Sequence, residues 1–168
     1  MKLNFIYVII DYFSISRCGN TWFTEWLIPF FLVLVGYVLV ENQSLSFWSY
    51  SLVVNLVATI RVLLGFTLAS MTLFLGRTSD ELKKKRTERI KLRGKTLSLY
   101  NVMLITFSYL IILETLLCVS YYIGLLYPLE NGNICAFLNG LFLLLSFHLF
   151  ATILKMITNL YFILIADS

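Results

Sequence analysis

Three ionisable side chains lie within long apolar stretches, where a charged group is costly unless something polar faces it. They are Arg61 in NLVATIRVLLGF, Glu114 in LIILETLLC and His148 in LLLSFHLFA. In membrane-spanning helices such residues are rare, and they mark buried ion pairs, proton relays or ion pathways. The chemistry open to this set is therefore either ion pairing and hydrogen-bonded packing between helices, or a part in ion passage or gating.

Spacing along ideal helices predicts that these three side chains lie at similar depth. Counted from the basic segment between their helices, Arg61 is about 24 Å deep and Glu114 about 28 Å deep. Counted from the opposite edge, Glu114 and His148 both lie about 20 Å down. Glu114 is the only anion expected at this depth, and arginine stays charged at any accessible pH. We therefore predict that Arg61 and Glu114 pair, within or between protomers.

A second candidate is the basic segment RTSDELKKKRTERIKLRGK, which holds nine of the thirteen lysines and arginines of the chain. Such a segment can set membrane topology and bind anionic lipid headgroups, at about 1 kcal/mol per basic residue near the surface. It can also dock a cytoplasmic protein. Direct nucleic-acid binding is not expected, because no aromatic residues interleave the charges and no known motif is present. The predicted partner- or lipid-binding residues are Arg77, Lys83, Lys84, Lys85, Arg86, Arg89, Lys91, Arg93 and Lys95.

Motifs typical of enzymes are missing from the sequence. There is no H-E-x-x-H, no nucleophile elbow, no phosphate-binding loop and no carboxylate pair. The cysteines at positions 18, 118 and 135 have no spacing typical of a metal or disulfide framework, and we expect them to be packing residues. The sequence therefore predicts no catalytic residues, no metal and no cofactor.

The composition indicates that the elements carrying these residues are membrane helices. Hydrophobic residues make up 60% of the chain and charged residues 13%, with a mean hydropathy of +0.87. Soluble domains have about 45–50% apolar and about 25% charged residues. A membrane helix needs roughly 20 mostly apolar residues. Four stretches qualify, within a single domain of residues 22–165: about 22–40, 48–75, 97–127 and 134–160.

The charges predict how these spans are oriented. The loops ENQSLS and PLENGN contain no lysine or arginine, in contrast to the basic loop 76–96. Basic residues in short loops stay in the cytoplasm, so both termini and the basic loop are predicted to be cytoplasmic. Residues 1–21 are predicted to form a cytoplasmic or interfacial segment, lying at the membrane surface or packed on the bundle. Lys155 is expected to reach the inner interface.

The basic loop has local helix signals. Thr78 to Glu81 match a capping box, and Asp80–Lys84 and Glu81–Lys85 are spaced to pair across one turn. Gly94 is placed to end such a helix. The predicted fold is therefore an all-α integral membrane protein with four transmembrane helices and a helical basic cytoplasmic loop. We expect a homo-oligomeric bundle, because four spans with little polar lining do not easily enclose a pore.

The order of several motifs resembles the membrane component of the lambda Rex phage-exclusion system. MTLFLGRT is followed by the basic loop, then by FSYLIILETLLC with its mid-helix acid, and then by SFHLF in the fourth span. The similarity extends over residues 50–160 and falls on Gly76 and the basic residues after it, on Glu114, and on Ser146, Phe147 and His148. In size and layout the chain is also similar to the four-span membrane subunit of Kiwa antiphage systems, which works with a cytoplasmic DNA-binding partner.

These resemblances imply a protein of the bacterial inner membrane that takes part in antiphage defence. We expect a membrane sensor or scaffold that recruits or controls a cytoplasmic partner through the basic loop. One alternative is an ion channel that depolarises the membrane in abortive infection, and another is a structural assembly subunit. The partners implied are further copies of the chain, a cytoplasmic defence protein able to bind DNA, and anionic lipids.

Overall fold

A computed structural model describes residues 5–18, 21–43, 50–77, 86–92, 94–126 and 132–166. The described residues form five α-helices, one π-helical turn and one β-hairpin. In chain order these are α1 (Phe5–Cys18), the π-helical turn Phe23–Leu27, α2 (Ile28–Gln43), α3 (Tyr50–Arg77), β1 (Arg86–Leu92), β2 (Lys95–Ser98), α4 (Leu99–Leu126) and α5 (Gly132–Ala166).

Three of the helices are long and apolar enough to cross a membrane. The qualifying parts are Val54–Gly76 of α3, Leu99–Ile123 of α4 and Phe137–Leu160 of α5. These match the second, third and fourth predicted spans. A fourth span is reached only if α1 and the helical stretch Phe23–Val35, which meet at a bend of 112°, are counted as one.

Helix α4 lies at the centre of the described bundle, with α3, α5 and α1 packed around it. Its buried side chains include Phe107, Leu110 and Leu117, which contact the buried Ile60 of α3 and Leu149 of α5 in one apolar cluster. The outward faces of the helices also carry many large apolar side chains. Large apolar side chains in such numbers on an outer surface are typical of a protein covered by lipid; examples are Val62, Phe66, Phe137 and Leu154.

The basic loop is not helical where the structure describes it, so that part of the prediction is wrong. Strands β1 and β2 pair antiparallel, with Leu92 opposite Lys95 and Lys91 opposite Thr96, and the register shifts before Arg86 pairs with Ser98. Gly94 has a φ of +78°, and two-residue hairpin turns require such positive φ values. The glycine therefore reverses the chain instead of ending a helix.

Local propensity explains why a hairpin replaces the helix in this part of the loop. The strand sequence RTERIKL contains the β-branched residues Thr87 and Ile90, which favour extended backbone. The predicted capping box, Thr78 to Glu81, and the lysines that pair with it lie outside the described residues.

Helix α1 packs on the bundle, which is one of the two arrangements predicted for the N-terminal segment. The ring of Tyr12 stacks on Tyr109 of α4, with centroids 3.7 Å apart and planes 3° apart. The same helix also lies against strand β1. Because the hairpin connects α3 to α4, α1 occupies the end of the bundle where the basic residues are.

Candidate functional site

Arg61 lies on an outward face of α3 and contacts α4 through a tyrosine. Its Nη2 donates a hydrogen bond to the hydroxyl oxygen of Tyr122, and its Cζ lies 5.0 Å from the centroid of the Tyr122 ring. The guanidinium therefore has a polar partner and an aromatic face beside it. Tyr122 is one residue from the end of the membrane-compatible part of α4, so the pair lies near the end of the bundle opposite the hairpin.

Glu114 is fully buried between α3 and α4. Its Oε1 accepts a hydrogen bond from Thr67 Oγ1 at 3.0 Å, whereas Oε2 has no hydrogen-bond partner among the described residues. Within the described part of one chain, Arg61 and Glu114 therefore bond to different residues and do not pair. The predicted ion pair is wrong for a single protomer, and pairing between protomers stays a prediction.

Side-chain direction explains why these two residues do not meet. Side chains on a helix tilt toward its N-terminus, and α3 and α4 run antiparallel through the hairpin. Arg61 therefore extends away from the hairpin, toward Tyr122, whereas Glu114 extends toward the hairpin and Thr67. Matching the depths of the two α-carbons was not enough, because the charged groups point to opposite ends of the bundle.

His148 is buried and hydrogen-bonded through both ring nitrogens. Nδ1 lies 2.8 Å from the backbone oxygen of Glu25, and Nε2 lies 2.9 Å from the hydroxyl of Tyr109. A carbonyl oxygen only accepts, so Nδ1 carries the hydrogen, and a neutral ring then accepts from Tyr109 at Nε2. The ring also stacks on Trp26 at a centroid distance of 4.0 Å. His148 is thus a hydrogen-bonded core residue in this structure, and a part in ion passage or gating stays a prediction.

Glu25 is the functional candidate that the sequence reasoning missed. Its carboxylate is 2% exposed and forms an ion pair with Lys155. One carboxylate oxygen also accepts hydrogen bonds from Ser16 Oγ at 2.6 Å and Tyr12 OH at 2.8 Å. The ammonium group of Lys155 donates to Glu25 and to Thr21 Oγ1, at 2.7 Å from the latter. Its expected position at the membrane interface stays a prediction.

Pro29 explains why the backbone carbonyl of Glu25 can accept a hydrogen bond from another helix. In an α-helix the carbonyl of Glu25 would accept from the N–H of residue 29, but proline has none and its ring crowds that carbonyl. The chain forms a π-helical turn here, and His148 donates to the carbonyl instead. An acid followed four residues later by proline, in an apolar stretch, is the sequence signal that would have pointed to this site.

These groups form one connected polar network, which we call the Glu25 cluster. It joins α1, the π-helical turn, α4 and α5 across an otherwise apolar core. Tyr12 OH also lies 3.2 Å from Thr152 Oγ1, which donates to the backbone oxygen of His148 at 2.9 Å. The members are Tyr12, Ser16, Thr21, Glu25, Tyr109, His148, Thr152 and Lys155.

The predicted binding residues of the basic loop lie at the hairpin end of the bundle where the structure describes their backbone. Arg77 ends α3, and the hairpin carries Arg86, Arg89, Lys91 and Lys95. Four further predicted residues lie outside the described residues: Lys83, Lys84, Lys85 and Arg93. Within the described ranges, no group of three or more His, Cys, Asp or Glu side chains is arranged to hold a metal ion.

When compared with protein-family models, curated proteins and solved structures, the chain matches none of them.

Proposed function

We propose that this chain is a bacterial inner-membrane component of an antiphage defence system, in which it acts as a sensor or scaffold. The basic loop recruits or controls a cytoplasmic partner, and the bundle anchors that contact in the membrane. The proposal includes cytoplasmic termini, homo-oligomeric assembly and contact of the basic loop with anionic lipids. The ordered motifs that resemble Rex-type proteins support the defence role.

The observation that carries the proposal is the position of α1 between the basic hairpin and the bundle core. On one side α1 lies against β1, and on the other its Tyr12 and Ser16 bond to the buried carboxylate of Glu25. A partner that binds the hairpin therefore acts next to a helix that is held to α4 and α5 by specific hydrogen bonds. A change in the hairpin on partner binding can therefore be transmitted through α1 to the bundle core.

Charge favours an acidic partner for the loop. Nine basic residues against Asp80, Glu81 and Glu88 leave the segment 77–95 at 9 − 3 = +6. A field of this sign attracts acidic protein surfaces and anionic headgroups and raises the rate at which they associate. A cytoplasmic defence protein with an acidic face fits this charge.

The runner-up is a membrane-depolarising channel, and one observation bears on it. Arg61 lies on the outside of the described bundle, so in an oligomer it is available to line a path between protomers. Within the described part of one chain, the carboxyl groups of Glu114 and Glu25 are buried. Conduction would therefore require several copies. A purely structural assembly subunit is the third candidate.

Neutralising the loop tests the proposed docking. The four residues Lys83, Lys84, Lys85 and Arg86 are replaced by glutamine in cells that carry the chain with its neighbouring genes, and phage plating and co-purification of the partner are measured. We expect plating to rise to that of unprotected cells, and partner capture to be lost, at unchanged membrane levels. A matched control exchanges the same lysines for arginine and Arg86 for lysine, which keeps the charge, and this control should protect normally.

The outcomes of this experiment separate the candidates. Partner capture that persists in the glutamine variant would contradict docking through these residues and favour lipid contact. Collapse of the membrane potential in infected cells, followed with a voltage-sensitive dye and dependent on Arg61, would favour the channel. Normal protection without any captured partner would favour the assembly subunit.

A further inference from the structure

Two carboxylates are fully buried in the described bundle, and their surroundings differ sharply. Glu25 has a cation, Lys155, and two hydroxyl donors, Ser16 and Tyr12. Glu114 has a single hydroxyl donor, Thr67, at 3.0 Å, and its Oε2 has no partner among the described residues. The side chain of Glu114 is 0% exposed. The surroundings of Glu25 therefore stabilise a charged carboxylate, whereas those of Glu114 do not.

No cation in the described part of the chain is directed at Glu114. On α3, Arg61 bonds to Tyr122. On α5, Lys155 bonds to Glu25 and Thr21, and His148 bonds to Glu25 and Tyr109. The other titratable groups that the structure describes on the helices around it include Cys118 and the tyrosines of α4. Helix α1 adds Asp11, Arg17, Cys18 and its own tyrosines.

An ionised carboxylate with one hydrogen bond in an apolar bundle is far more costly than a neutral carboxylic acid in the same place. We propose that Glu114 is a proton-binding site in the contact between α3 and α4. The ligand is a proton, held on the carboxyl group as a neutral acid whose carbonyl oxygen accepts the hydroxyl of Thr67. This inference goes beyond the proposed function and does not rest on it.

Loss of the proton from Glu114 has a consequence for the packing of α3 against α4. Loss of the proton leaves an anion in the α3–α4 contact, where one hydroxyl cannot replace its hydration. Deprotonation therefore requires water or a cation to enter the contact. In either case the proton on Glu114 controls how closely α3 and α4 pack.

Infrared spectroscopy of the full chain in lipid bilayers tests the proposal directly. A neutral carboxylic acid has a carbonyl stretching band well separated from those of a carboxylate. We expect this band in the wild type at neutral pH, its loss in Glu114→Gln, and its persistence in Glu25→Gln. Absence of the band at neutral pH, or its loss in Glu25→Gln with persistence in Glu114→Gln, would overturn the proposal.

A second variant assigns the band without removing the acid, in case Glu114→Gln does not fold. Thr67→Val removes the hydroxyl that bonds to Oε1, so the carbonyl band should move to higher frequency, whereas Thr67→Ser keeps the hydroxyl and should leave it in place. A band that does not respond to Thr67→Val belongs to another acid and contradicts the assignment to Glu114.

Discussion

At the scale of single residues, the pairing of buried charges in this protein is decided by side-chain direction as much as by depth. Arg61 and Glu114 begin at similar heights on antiparallel helices and reach opposite ways, to Tyr122 and Thr67. Glu25 and Lys155, 130 residues apart in the chain, form an ion pair that the sequence did not predict.

Energetic coupling should match these contacts. In a double-mutant cycle, Arg61→Leu and Tyr122→Phe should be coupled by about 0.6 kcal/mol, the average for hydrogen bonds between membrane helices. Arg61→Leu and Glu114→Gln should be additive, because the two side chains share no contact. The measurement is unfolding in mixed micelles. Coupling between Arg61 and Glu114, with none between Arg61 and Tyr122, would indicate that Arg61 and Glu114 form an ion pair after all.

The Glu25–Lys155 pair joins a buried carboxylate, 2% exposed, to a lysine that is 29% exposed. Lys155→Met should destabilise the chain by about 3 kcal/mol, because it leaves the buried Glu25 unpaired. Glu25→Leu should cost less, because the lysine that it leaves unpaired is partly exposed. The double variant should recover part of the larger loss. Tyr12→Phe, which removes the hydrogen bond from Tyr12 to the charged carboxylate of Glu25, should cost about 1.5–3 kcal/mol. If the double variant is as unstable as the sum of its parts, the two charges are not partners.

At the scale of elements, length and apolarity were enough to predict the long helices, whereas features that depend on packing were missed. Helices α3, α4 and α5 match the second, third and fourth predicted spans, whereas the first predicted span, 22–40, is not matched by a spanning helix of its own among the described residues. A long apolar run can satisfy its backbone hydrogen bonds within one helix, which is why these three could be predicted from sequence. The hairpin was missed because capping and charge pairing are local helix signals, whereas strand pairing joins residues across a turn. Glu25 was missed because its partners come from α1 and α5, whose positions no local pattern reveals.

The π-helical turn offers a test at this scale. Pro29→Ala supplies the missing N–H, so the carbonyl of Glu25 should bond within its own helix, and His148 should lose its acceptor. The chain contains one histidine, so its ring nitrogen signals in an NMR spectrum are unambiguous. The wild type should show the Nδ1–H tautomer, and Pro29→Ala should shift that signal. A conservative exchange of the next residue, Phe30→Leu, serves as control, and an unchanged signal in Pro29→Ala would contradict the role of the proline.

At the scale of the whole molecule, the described bundle has one basic end and an apolar outer surface. The predicted orientation places the hairpin end in the cytoplasm, because nine basic residues lie in one short loop. In a chain without its native cysteines, a cysteine at position 79 should resist an impermeant thiol reagent in intact cells, and one at position 131 should react. The opposite labelling pattern would invert the orientation, and with it the proposed side of the partner.

The distance in sequence between Glu25 and Lys155 has a consequence for chains whose synthesis is not finished. Glu25 leaves the ribosome early, whereas Lys155 lies in the last helix. In the predicted topology, Glu25 therefore lacks its cation until α5 is synthesised, and we expect an unfinished chain to be less stable than the complete one. We expect a chain truncated before α5 to be degraded quickly in a pulse-chase experiment, and Glu25→Gln to lengthen its lifetime. Equal lifetimes of the truncated chain with and without Glu25→Gln would show that the unpaired carboxylate does not cause its degradation.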